Sequence, residues 1–199
     1  NSVSQVLDMS VPDLSGGVAY GCGAALAAWL AVVVFGLVAK RAARVLHPLL
    51  TGFGSAVLLP LALFGGTRTF ALPLPLFLGD AAVEFVFDPL SRWFLLLIGV
   101  IGAATALFAP GYLAHLRSRI ALGHVWAALA LLLISMVGVV LAGNALTFLV
   151  AWELMALSSF ALVAADHERR AIRQAALIYL GATRIGTAVT ALPGKSWVI

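Results

Sequence analysis

A single carboxylate sits where water is scarce. Glu153 is the one charged residue in the stretch Asn144–Ala165, which is otherwise mostly apolar or small. A carboxylate near the centre of a membrane-spanning helix costs about 3 kcal/mol on insertion scales. Desolvation also disfavours its charged form. Such a group faces the protein interior or water, and a carboxyl that can change protonation at membrane depth is what a proton relay requires. Arg184 is the second candidate. It lies inside the stretch Ile172–Leu192, and a guanidinium does not deprotonate in a protein. At ~1.5 Å per residue, Glu153 comes ~13 Å below one edge of a ~30 Å hydrocarbon core, and Arg184 comes ~12 Å below the same edge. Antiparallel helices would set the two level, and the guanidinium would then hold the carboxylate ionised. Such a pair can be part of a proton relay or a tie between two helices, and composition alone leaves both readings open.

The remaining polar residues offer less chemistry. His115 and His124 lie at span ends and belong to the one side-chain type that titrates near neutrality. His124 is retained as a further relay candidate. Ser135, Thr147, Ser158, Ser159, Tyr179, Thr183 and Thr187 read as hydrogen bonds between helices. Cys22 is the only cysteine, which rules out an internal disulfide or a multi-cysteine metal or iron–sulfur site, and it reads as a packing residue. There is no P-loop, GxGxxG, HExxH or nucleophile elbow. No cofactor and no metal are expected.

These groups must be carried by helices in lipid. The chain has 199 residues, of which 63% are hydrophobic and 10% charged, with a mean hydropathy of +1.09. A soluble domain carries about 25% charged residues, so this chain has too little polar surface to face water. The net charge of +4 would suggest nucleic acid in a soluble protein. Here the basic residues punctuate apolar stretches, so membrane topology accounts for them and no nucleic acid is expected. A spanning helix needs about 20 apolar residues. Six stretches qualify: Val18–Ala39, His47–Gly66, Trp93–Ala114, Ile120–Ala142, Asn144–Ala165 and Ile172–Leu192. Gly99, Gly102 and Ala103 are small enough to let helices approach closely. The fold class expected is an all-α membrane protein, a bundle of about six transmembrane helices, preceded by an external tail over 1–17.

The segment Thr67–Leu90 differs from the spans. Phe70, Leu72, Leu74, Leu76 and Leu78 alternate with other residues, as do Val83, Phe85 and Phe87, and a period of two indicates short strands. The expectation is a small external β-hairpin between the second and third helices, turning near Gly79–Asp80, with an irregular loop as the alternative. Orientation follows from the loops. Eight of the twelve Lys and Arg residues fall after the first, third and fifth spans (Lys40, Arg41, Arg44, Arg117, Arg119, Arg169, Arg170 and Arg173). The basic side faces the cytoplasm, which puts the N-terminus outside a multi-pass protein of the plasma membrane.

Three stretches together carry a family resemblance. They are Phe87-Asp88-Pro89-Leu90-Ser91-Arg92-Trp93-Phe94, then Phe148 to Ser159 with its core Trp152-Glu153-Leu154-Met155-Ala156-Leu157-Ser158-Ser159, then Ala176 to Leu180 followed by Ile185-Gly186-Thr187-Ala188. In order and spacing the chain resembles the antiporter-like subunits of respiratory complex I and of multisubunit cation/proton antiporters. Within that family it looks most like the large membrane subunit of hydrogenase-4 and formate hydrogenlyase complexes. The resemblance implies that Glu153 corresponds to the family's membrane glutamate, which acts with a lysine on a later helix as protons move. It implies partners as well: other membrane subunits and hydrophilic subunits bearing the redox centres, since this chain has no ligand set for one. Two departures stand out. Position 184 is His in that branch and Arg here. The family module also continues for many more helices, while residues 193–199 do not resemble its continuation, as a truncated or frameshifted reading frame would produce. The chain thus reads as the N-terminal part of a proton-translocating subunit in an energy-converting oxidoreductase complex. The alternatives are a structural or degenerate membrane fragment and a subunit of a cation/proton antiporter.

Overall fold

The computed structural model describes residues 15–38, 43–73, 82–116, 122–166, 174 and 177–184. In chain order the elements are α1 (Ser15–Val38), α2 (Ala43–Phe64), β1 (Arg68–Pro73), β2 (Ala82–Phe87), α3 (Pro89–Leu116), α4 (Leu122–Leu141) and α5 (Ala145–Val163), closed by a 3₁₀ turn at Ala164–Asp166. Each of the five α-helices contains a stretch long and apolar enough to cross a membrane. The chain is a multi-pass membrane protein. Of the sixth expected span, residues 174 and 177–184 are helical, and the rest lies outside the described residues, as do the tails at 1–14 and 185–199.

The strands pair antiparallel, with Arg68 opposite Phe87, Phe70 opposite Phe85 and Leu72 opposite Val83. The alternating pattern therefore marks a two-stranded sheet. Its turn falls outside the described residues. β2 also reaches across to the α4–α5 connection through a bridge between Phe85 and Ala142.

α1 packs against both α2 and α4, while α3 lies on α2 and α5 lies on α4. Trp29, Val32, Leu58, Leu95, Trp126 and Leu133 form the centre of the core. Gly99 lets α3 settle on α2 beside the Ser55 carbonyl. α2 runs through Pro48 and Pro60 without ending. Proline is tolerated in spanning helices because neighbouring groups satisfy the freed carbonyls.

α3 starts four residues before the expected Trp93. The apolar run begins at Trp93, but the cap fixes where the helix starts. Asp88 Oδ1 accepts from the Ser91 backbone N–H at 2.6 Å, and Ser91 Oγ accepts from the Asp88 N–H at 2.8 Å. This is a reciprocal capping box, with Pro89 at the first helical position, where its missing N–H costs nothing. One residue further, Arg92 reaches back to the end of α2. Its Nε donates to the Ala62 carbonyl at 2.8 Å and its Nη2 to the Leu63 carbonyl at 2.6 Å. The stretch Asp88–Arg92 thus starts one helix and stops another.

The Ser91 backbone N–H, then the Ser91 hydroxyl, hold the Asp88 carboxyl below the usual carboxylate range. A lowered folded-state value stabilises above the unfolded carboxylate range, and that stability is lost as pH falls through the folded value. Thermal stability in detergent should therefore fall on acidification below about pH 4, and Asp88→Asn should remove that acid dependence. Asp88→Ala should cost about 0.5–2 kcal/mol at neutral pH.

Candidate functional site

The site is built on α5, whose first turn is fixed from outside the helix. Asn144 caps it, its Oδ1 accepting from the Thr147 N–H and from the Thr147 hydroxyl, both at 2.8 Å. Thr147 Oγ1 in turn accepts from the Glu84 N–H of β2 at 3.0 Å, and the Gly143 N–H donates to the Glu84 carbonyl at 2.8 Å. The hairpin is thus fastened to the start of the helix that carries Glu153. Thr147→Val keeps the shape of the side chain but leaves the Glu84 N–H without its acceptor, which should cost about 1–3 kcal/mol. Thermal unfolding would read this, and Thr147→Ser should recover most of the loss.

Thr147, Ala151 and Ser158 are buried. Ala151 lies against Gly138 of α4. Glu153 lies two residues beyond Ala151, which turns it about 200° around the axis and away from α4. That side of α5 is met by the helical segment 177–184. Arg184 Nη1 donates to Glu153 Oε2, and Ser159 and Tyr179 share a hydrogen bond of 2.7 Å. The pairs 153–184 and 159–179 run in opposite directions, so the two helices are antiparallel, and the depth arithmetic brings together the residues it should.

The two oxygens of Glu153 differ. Oε2 is held by the guanidinium, whereas Oε1 is buried and has no hydrogen-bond partner among the described residues. The Glu153 side chain is 26% exposed and that of Arg184 49%, so the pair sits at the flank of the bundle, on the side away from α4. Phe148 and Trp152 stack one turn apart beside it, with ring centroids separated by 5.6 Å.

His124 is exposed near the start of α4. α4 and α5 are antiparallel and Ala151 lies against Gly138, so the α4 residue level with Glu153 is near Met136, and His124 lies ~18 Å further along. The fold does not bring His124 to the Glu153–Arg184 pair. Two residues gain weight that the sequence did not give them: Arg92, which clasps α2, and His47, buried near the start of α2. Arg92 binds backbone carbonyls and so leaves no pattern among side chains. His47, Thr51 and Ser55 recur at helical spacing, a signal open to reading. Among the described residues, no group of three or more His, Cys, Asp or Glu comes together.

No family model matches the chain. An uncharacterised protein of Mycobacterium tuberculosis (strain H37Rv) is 35% identical over 127 residues, which is 63% of this chain and 19% of that protein. A Staphylococcus saprophyticus protein described as antiporter subunit mnhA2 is 38% identical over 84 residues, 42% of this chain and 10% of its own length. The corresponding protein of Staphylococcus aureus (strain MRSA252) is 37% identical over the same length. The chain therefore spans about a fifth of the mycobacterial relative and a tenth of the staphylococcal ones. The likeness is to antiporter-like membrane proteins, over part of their length.

Proposed function

We propose that this chain works as a proton-conducting membrane subunit of the antiporter-like type, with Glu153 as the carboxyl that takes up and releases the proton and Arg184 as the fixed charge that governs it. The observation that carries this reading is the asymmetry of the Glu153 carboxylate. Oε2 accepts from Arg184, while Oε1 is buried and unpartnered among the described residues. With the guanidinium in place the carboxylate is ionised. When the segment 177–184 draws Arg184 away, the carboxylate is left in surroundings that disfavour a bare charge. Oε1 then takes a proton from water, and return of the guanidinium releases it.

The relatives described as antiporter subunits support work within a multisubunit cation/proton antiporter in the plasma membrane. The loop charges support an N-terminus outside. The Asp88-Pro89-Leu90-Ser91 and Trp152–Ser159 motifs support a second reading. In it, the same module serves an energy-converting hydrogenase or NADH–quinone oxidoreductase complex, and hydrophilic partner subunits carry the electrons. Co-purification distinguishes the two, since only the second brings down iron–sulfur subunits.

The test of proton conduction is the uptake of protons by membrane vesicles that hold the chain with its assembly partners, wild type against Glu153→Gln. Unchanged uptake in the variant overturns the reading.

A further inference from the structure

His47 is the third residue of the apolar stretch Val45–Phe64, yet it is only 1% exposed. Its ring stacks on Trp126 of α4, with centroids 6.3 Å apart and planes 23° from parallel. Its Nε2 is buried and has no hydrogen-bond partner among the described residues. One turn further along α2, Thr51 is fully buried and its Oγ1 is also unpartnered among the described residues. One turn beyond that, Ser55 Oγ donates to the Thr51 carbonyl at 2.8 Å, and the same carbonyl accepts from Trp29 Nε1 at 3.3 Å. His47, Thr51 and Ser55 thus make a buried polar stripe ~12 Å long on one face of α2. Each unsatisfied buried polar atom costs about 1–3 kcal/mol. Two of them one turn apart, one being an imidazole nitrogen, suit a guest that both donates and accepts hydrogen bonds.

We propose that His47 and Thr51 form a second buried protonation site, hydrated from the end of the bundle where α2 begins and separate from Glu153. A hydronium gives its proton to the Nε2 lone pair and leaves as water. Nδ1 keeps its hydrogen, a water held between the new N–H and Thr51 Oγ1 accepts from it, and Nε2 later returns the proton to water. The site lies among α1, α2 and α4, whereas Glu153 and Arg184 join α5 to the segment 177–184. It therefore goes beyond the Glu153 reading and stands without it. The charged and titratable groups at this end are Arg44 on α2, Tyr112 and His115 on α3 and His124 on α4. Of these, Tyr112 and His124 are exposed, and the described part of α1 contributes none at this end. Lys40, Arg41, Arg117 and Arg119 belong to connections outside the described residues.

The test uses the full chain in lipid nanodiscs with its four histidines labelled with nitrogen-15, and His47→Gln identifies the resonance. The His47 ring should pass from neutral to imidazolium between about pH 5 and 8 and exchange with water despite its burial. As it does so it should quench Trp126 emission, an effect lost in Trp126→Phe. All of this should persist in Glu153→Gln. A ring that stays neutral across that range, shows no exchange with water, or stops titrating in Glu153→Gln overturns the proposal. Should His47→Gln fail to fold, a chain retaining His47 as its single histidine provides the same assignment.

Discussion

Glu153→Gln should lower proton translocation by the assembly about a hundredfold or more while the helix bundle stays folded. Glutamine fills the space of glutamate, and its amide oxygen can still accept from Arg184 Nη1. What it lacks is a site that takes and returns a proton. A pair that serves only to tie α5 to the segment 177–184 would keep its hydrogen bond and its function in the Gln variant. A relay would lose its flux. The cost to the fold is limited because the glutamine oxygen keeps the hydrogen bond from the guanidinium, so neither group is left without a partner at membrane depth. Glu153→Asp keeps the carboxyl but withdraws it by one methylene, so it should retain part of the flux. Dye-reported proton uptake in vesicles, paired with thermal unfolding in detergent, separates loss of function from loss of fold.

The meeting of Glu153 with Arg184 could be read from the sequence because helix rise is fixed. Counting residues from two span ends gives depth, and the side of α5 that faces away from α4 does the rest. The hairpin could be read for a similar reason, since strand period survives in Val83, Phe85 and Phe87. The start of α3 could not be read from hydropathy. The apolar run opens at Trp93, but the capping box of Asp88 and Ser91 draws the helix back to Pro89. Arg92 looks in the sequence like one more loop cation, yet it ends α2 by bonding to backbone carbonyls some thirty residues earlier, which no side-chain pattern records. His124 failed as a neighbour of Glu153 for a different reason. α4 is apolar on nearly every side, so the sequence does not say which way a histidine near its end will face.

Leucine at Gly36 or Gly123 should cost about 3 kcal/mol or more, at or above the upper end of ordinary overpacking. α1 and α4 touch backbone to backbone there. A Cβ on either glycine would run into the carbonyl oxygen of the other, and one on Gly36 would also come within 2.9 Å of the Ala127 Cβ and 3.3 Å of its nitrogen. A crowded side chain can change rotamer, but a helix backbone cannot, so the two helices must part. In lipid that loss is not recovered by hydrophobic collapse, because close packing is itself what holds spanning helices together. Parting them uncovers Val32 and Trp126 and loosens α1, the helix that joins α2 to α4. Alanine at Gly36 should cost about 1–2 kcal/mol. Gly23→Leu is the control: its Cβ meets nothing within 4 Å, so it should stay within about 0.5 kcal/mol of wild type. Unfolding titrations in mixed detergent would rank the four variants. The double Gly36→Leu, Gly123→Leu variant should fall well short of the sum of the singles, because residues in contact do not act independently and helices already parted by the first leucine have room for the second.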